Sequence, residues 1–128
     1  MRFSLIFLSL LFTLNHNSFA QKVLSDSVYV KNDVFEVIYS EILEQPKKLT
    51  YYSTNRPYNF NRNGMDFYLI DGVHTSGYLD YKTNVWDKGH LAPAASFSDT
   101  KKNLLQTFSY LNCSLQHKEL NRTEWKQL

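Results

Sequence analysis

Apolar and polar positions alternate in only a few stretches of this chain, and the clearest of them come early. Val34-Phe35-Glu36-Val37-Ile38-Tyr39-Ser40 mixes β-branched and aromatic residues in partial alternation and predicts a strand. Leu49-Thr50-Tyr51-Tyr52-Ser53 predicts a second, with Glu44-Gln45-Pro46 in the connection, so the two form an antiparallel pair. Asn55 to Gly64 is rich in Asn, Arg, Pro and Gly and reads as a loop, and Met65 to Ile70 as a short strand closed by Asp71-Gly72. From His74 to Asn84 the pattern is irregular and polar, leading into Val85-Trp86-Asp87, and Pro93 excludes a regular helix across the segment around His90. Ser98-Asp99-Thr100 is a helix start for Lys101 to Thr107. Phe108 to Leu111 reads as a strand, and Lys118 onward as a helix of barely two or three turns. Lys22 to Asn32 is polar and reads as a loosely held leader. Together these elements predict an α+β fold built on an antiparallel sheet.

The N-terminus changes the picture of where that fold begins. Met1-Arg2 supplies a short positive start, Phe3 to Leu14 is a nearly unbroken apolar run, and Ser18-Phe19-Ala20 puts small residues at the two cleavage-site positions. This is the layout of a secretory signal peptide over residues 1–20, and the run is too short for an ordinary membrane-spanning helix. A secreted or periplasmic protein is therefore expected, with no membrane association after cleavage. The remaining 108 residues fit one domain and hold 13 Lys and Arg against 12 Asp and Glu, a net charge of +1. A nucleic-acid binder of this composition has to concentrate its positive charge locally. Cys113 is the only cysteine, so no internal disulfide framework exists. Nine Tyr and nine Phe favour strands over a helical bundle.

Three residues stand out for chemistry. His90 carries the side chain whose unperturbed pKa lies nearest neutrality, able to take a proton from water and return it. Gly89 before it permits a tight backbone approach, and Asp87 is placed to fix the local geometry. Asn121 offers a neutral amide oxygen suited to Mg²⁺ that keeps most of its waters, or alternatively a helix cap. Asn112 either orients a catalytic group or satisfies buried backbone at a strand end. His74, His90 and His117 lack the short paired spacing of a structural zinc site, and Cys113 has no evident activating partner.

Asp87-Lys88-Gly89-His90 continued by Leu91-Ala92-Pro93-Ala94-Ala95, Asn112-Cys113-Ser114-Leu115-Gln116, and Leu120-Asn121-Arg122-Thr123-Glu124-Trp125 form three blocks in order. Their sequence resembles the DNA/RNA non-specific endonuclease family, which has an endonuclease G-like, ββα-metal active site. The likeness is loose from Tyr51 and specific from Arg62-Asn63-Gly64-Met65-Asp66-Phe67 to the end. It implies that His90 is the general base activating the attacking water. It also implies that Asn121 is the sole protein ligand of Mg²⁺ (Mn²⁺ a substitute), that Arg62 clamps the phosphate, with Arg56 in the same loop as competitor, and that Asn112 assists by orientation. The implied activity is hydrolysis of DNA and RNA phosphodiester bonds without strong sequence preference.

The chain also departs from the family pattern. Lys88 stands where the family has Arg, keeping charge but losing the planar fork, and Leu115 stands where it has Pro. The family's glutamate four residues after the tryptophan would fall at position 129, and the family continues with further sheet and helices. The resemblance thus implies that residues 21–128 are the N-terminal part of the domain, with the ββα-metal motif incomplete at its C-terminus. One alternative is a truncated, catalytically inactive remnant that at most binds nucleic acid; another is an exported structural protein sharing only descent. A homodimer and an inhibitor protein are both compatible with this sequence.

Overall fold

A computed structural model describes residues 22–124, so the predicted signal segment and Trp125 lie outside the described residues. Three strands, β1 (Val28–Lys31), β2 (Phe35–Ser40) and β3 (Gln45–Tyr51), form an antiparallel sheet in the order β1-β2-β3. The period of two on β2 decides its faces: Phe35, Val37 and Tyr39 are buried, while Glu36 and Ile38 turn away from the core. The register sets Val30 and Leu49 on either side of Val37, giving one apolar row across the sheet. The first turn follows from Asn32, whose Oδ1 accepts from the backbone N–H of Val34 (2.8 Å) and Phe35 (2.9 Å).

The expected β2–β3 pair is present, with its boundary moved. Gln45 and Pro46 belong to β3 rather than to the connection, which is the four-residue turn Glu41 to Glu44. Pro46 is tolerated because β3 is an edge strand and the register shifts by a bulge between Ile38 and Tyr39. The leader is not loose. Val28 to Lys31 pairs with β2, and the residues before it converge on the buried carboxylate of Glu41. Lys22 Nζ (2.5 Å) and His74 N–H (2.8 Å) donate to its Oε1, and Ser25 N–H to its Oε2 (2.8 Å). Those donors, the His74 amide first, hold the Glu41 carboxyl down at about 2. Polar residues of the leader that looked solvated are partners of a charge inside the fold.

Met65 to Ile70 makes only an isolated parallel bridge between Tyr68 and Ser109 instead of a strand. Met65 and Phe67 instead pack with Ala94, Leu104 and Phe108 in a second apolar cluster. Beyond it, β4 (Trp86–His90) and β5 (Cys113–His117) form an antiparallel pair with His90 opposite Cys113. Helix α1 (Lys101–Gln106) lies in the connection between them and starts as expected, Thr100 Oγ1 accepting from Asn103 N–H at 3.0 Å. The strand expected at Phe108 to Leu111 is displaced: Tyr110–Asn112 is a 3-10 turn capped by Ser109 Oγ, and β5 begins only at Cys113. The final helix, α2 (Lys118–Arg122), packs on both β4 and β5. Ala92 and Leu111, flanking this strand pair, join the core of the three-stranded sheet, so both sheets share one α+β body. Among the described residues no helix is long and apolar enough to cross a membrane.

The Glu41 carboxyl titrates below the unfolded carboxylate value of about 4.3. Its contribution is therefore complete above that value and disappears as pH falls toward about 2. Thermal melts of Glu41→Gln are expected to show lower stability at neutral pH and a flatter loss between those limits. Superimposable acid limbs for both proteins would show that this carboxylate is not an anchor.

Candidate active site

His90 closes β4 immediately after Gly89, where the absence of a side chain leaves room for a neighbour. A Cβ at position 89 would lie 2.0 Å from Cδ of Gln116, whose side chain crosses the strand there. His90 and Gln116 both line a cleft of about 730 Å³, walled also by Tyr51, Arg62, Lys88 and Asn121. The imidazole is packed between Phe67 and Phe108, at ring-centroid distances of 4.5 and 4.7 Å, the second edge-on. Its Nε2 is buried without a hydrogen-bond partner among the described residues. Burial first, and the positive charge of Arg62 second, push its pKa down to about 4. The ring is therefore neutral at pH 7, with a lone pair on one of its two nitrogens.

Asp87, expected to fix the geometry beside His90, is turned to α2 instead. It accepts from Arg122 Nε (2.8 Å) and Nη2 (2.7 Å) and from Asn121 Nδ2 (3.2 Å). The Arg122 contacts, ahead of Asn121, hold the Asp87 carboxyl below its usual range. This two-pronged pairing fastens the helix to the strand and orients the Asn121 amide. The cap of α2 is His117, not Asn121, which lies within the helix. With Nδ2 on Asp87, Asn121 Oδ1 is left with no hydrogen bond among the described residues.

Asn112 takes the backbone-satisfying alternative. Fully buried, it accepts from Ala92 N–H through Oδ1 (2.7 Å) and donates through Nδ2 to the carbonyls of Ala92 (2.9 Å) and Thr107 (2.8 Å). Its own carbonyl accepts from Leu91 N–H at 3.0 Å. Both amide hydrogens are committed, so Asn112 reaches His90 only through the backbone that leaves β4.

The two loop arginines separate cleanly. Arg56 bonds Asp99 Oδ2 (3.2 Å) and lies 5.0 Å over the Phe97 ring, whereas Arg62 lines the cleft, exposed and outside any ion pair among the described residues. Lys88, in place of the family's arginine, pairs with Asp66 and sits 5.7 Å over Phe67. Burial drives the Cys113 thiol up to about 12, and it donates to Tyr81 Oη at 3.3 Å, so it is no nucleophile. His74 is bonded to Glu44 and His117 packs edge-on to Trp86. Among the described residues no group of three or more His, Cys, Asp or Glu side chains is placed to hold a metal. The Asn121 amide oxygen, on the cleft wall and without a hydrogen bond among the described residues, is a hard donor that fits a Mg²⁺ keeping most of its waters. Sequence reasoning passed over Gln116, Tyr51 and Arg122 as parts of the cleft wall. Pairing β4 with β5 would have exposed the first, since Gln116 opposes Asp87 and lies diagonally to Gly89.

A sequence model of DNA/RNA non-specific endonucleases matches residues 16–128. Mitochondrial endonuclease G from Bos taurus is 35% identical over 71 residues, covering 53% of this chain and 24% of that protein. The chain thus spans about a quarter of the length of the relative it matches.

Two measurements check the site. By NMR the His90 imidazole is expected to titrate near 4, and Arg62→Ala to move it up only part of the way, because burial is the larger cause. A midpoint near the exposed value of about 6.5 would contradict the packing against Phe67 and Phe108. Since the folded value lies below the unfolded one, this group's contribution to stability is complete above about 6.5 and fades as pH falls toward 4. Asn112→Ala strips partners from buried backbone groups of Ala92 and Thr107 and is expected to lower unfolding free energy by about 2 kcal/mol or more in denaturant titrations. A loss within experimental error would show that water replaces the amide.

Proposed function

The chain belongs to the DNA/RNA non-specific endonuclease family, and from that membership we propose an exported, Mg²⁺-dependent endonuclease that hydrolyses DNA and RNA phosphodiester bonds with little sequence preference. The observation that carries the reading is the neutral, buried imidazole of His90 opening on a cleft shared with Arg62 and Asn121. In this reading β4, β5 and α2 are the two strands and helix of a ββα-metal site. His90 accepts the proton of the attacking water, which adds in line at phosphorus. The Arg62 guanidinium spans two phosphate oxygens, a geometry that an ammonium does not reproduce. Asn121 Oδ1 would hold Mg²⁺, with Mn²⁺ as a substitute, and the chemistry a bound ion supplies there is neutralisation of charge on the phosphate and leaving oxygen. Asn112 and Asp87 keep the base and the amide oxygen in place. Contacts made to phosphate carry no base information, which accounts for the lack of sequence preference. Export rests on the apolar run Phe3 to Leu14 and the small residues at Ser18 and Ala20.

Expressed from its complete open reading frame, the protein is expected to cut plasmid DNA and RNA in Mg²⁺ and to stop in EDTA. His90→Ala is expected to lower the rate by about 10²-fold or more. Full activity of that variant, or of wild type in EDTA, would sink the mechanism. Salt-sensitive binding of nucleic acid without any cleavage would instead establish the inactive remnant.

A further inference from the structure

We propose that the segment between Tyr51 and Arg62 is a stacking platform for unpaired bases, so that single-stranded nucleic acid is taken in preference to duplex. The inference rests on the nucleic-acid reading above and adds the form of the substrate. Both ends of the segment, Tyr51 and Arg62, line the cleft that contains His90. Between them residues 52–61 form neither helix nor strand, yet their path is fixed. The N–H groups of Asn59 and Phe60 both donate to the carbonyl of Ser98, at 3.1 and 3.0 Å, and Asn59 Nδ2 donates to that of Asp99 at 3.0 Å. Arg56 adds its pairing with Asp99 and its place over Phe97. The result is an arch pinned at its middle, beginning and ending in the cleft wall.

That arch leaves Tyr52 81%, Tyr58 65% and Phe60 41% exposed. A lone exposed aromatic is ordinary, but three on one pinned segment beside a cleft place much apolar ring surface in water. Tyr51 differs, its ring committed edge-on to Phe97 at 5.8 Å. Flat apolar faces on the segment that ends at Arg62, a guanidinium outside any ion pair among the described residues, match a nucleotide whose base is splayed away from its phosphate. Stacking on such rings tolerates every base, in keeping with weak sequence preference. A duplex keeps its base faces within its own stack and offers only phosphate to Arg62. Single strands therefore gain contacts that duplexes do not.

The test measures binding by the full chain of a labelled oligothymidine and of a duplex of equal length, by fluorescence anisotropy in EDTA. Wild type is expected to prefer the single strand. Tyr58→Ala with Phe60→Ala is expected to weaken single-strand binding about fivefold or more per ring and to leave duplex binding unchanged. Arg62→Ala is expected to weaken both. Tyr58→Leu with Phe60→Leu, which keeps apolar bulk without a π face, is expected to show the same single-strand loss with an unaltered melting curve. Undiminished single-strand binding by either double variant, or equal losses on both ligands, overturns the stacking platform alone. Failure of wild type to bind either ligand overturns the nucleic-acid reading and this inference with it.

Discussion

The buried amide of Asn112 joins parts of the chain that are far apart in sequence and must be adjacent for the cleft to exist. It sits where the connection returns from α1 to start β5, and it holds Ala92, just beyond His90, by both its oxygen and its nitrogen. With Thr107 and Leu91 included, one side chain and its own carbonyl satisfy four backbone groups out of reach of water. No apolar residue could do this, and a hydroxyl or carboxylate lacks the two amide donors it uses. The place of His90 in the cleft thus depends on a residue that bonds only backbone.

Charge is arranged with similar economy. A chain of nearly balanced charge has to gather cations locally to hold a phosphate, and the cleft wall does contain Arg62, Lys88 and Arg122. Two of them are already neutralised in structure, Lys88 by Asp66 and Arg122 by Asp87. Arg62 is the one left outside ion pairs among the described residues, and its charge reinforces the neutrality of His90. This cation on the cleft wall thus adds to the effect of burial on the His90 imidazole.

Legibility in the sequence followed the source of each element's stability. Strand β2 and helix α1 were readable because alternation and a threonine cap are local signals. Strands β4 and β5 were not, since Trp86-Asp87-Lys88-Gly89-His90 carries no apolar alternation, Cys113-Ser114-Leu115-Gln116-His117 is too short and polar to stand out, and the two are held by pairing with each other. The leader was misread because its polar residues serve the buried Glu41 carboxylate, a partner lying 16 or more positions away. Met65 to Ile70 has strand-like composition but spends its large side chains on the cluster with Leu104 and Phe108. Among the candidate residues, His90 was singled out by its block alone. The distinction between Arg62 and Arg56 needed the position of Asp99, 43 residues after Arg56.

Gly89 and Gln116 occupy one shared volume. The space that a side chain at 89 would take is filled from the neighbouring strand by the stem of Gln116, so the two positions behave as a single structural choice. A larger residue at 89 would displace the Gln116 side chain from this part of the cleft wall, and loss of the glutamine at 116 would remove it outright. Their effects overlap instead of adding, and the pair constitutes one unit of sequence variation rather than two.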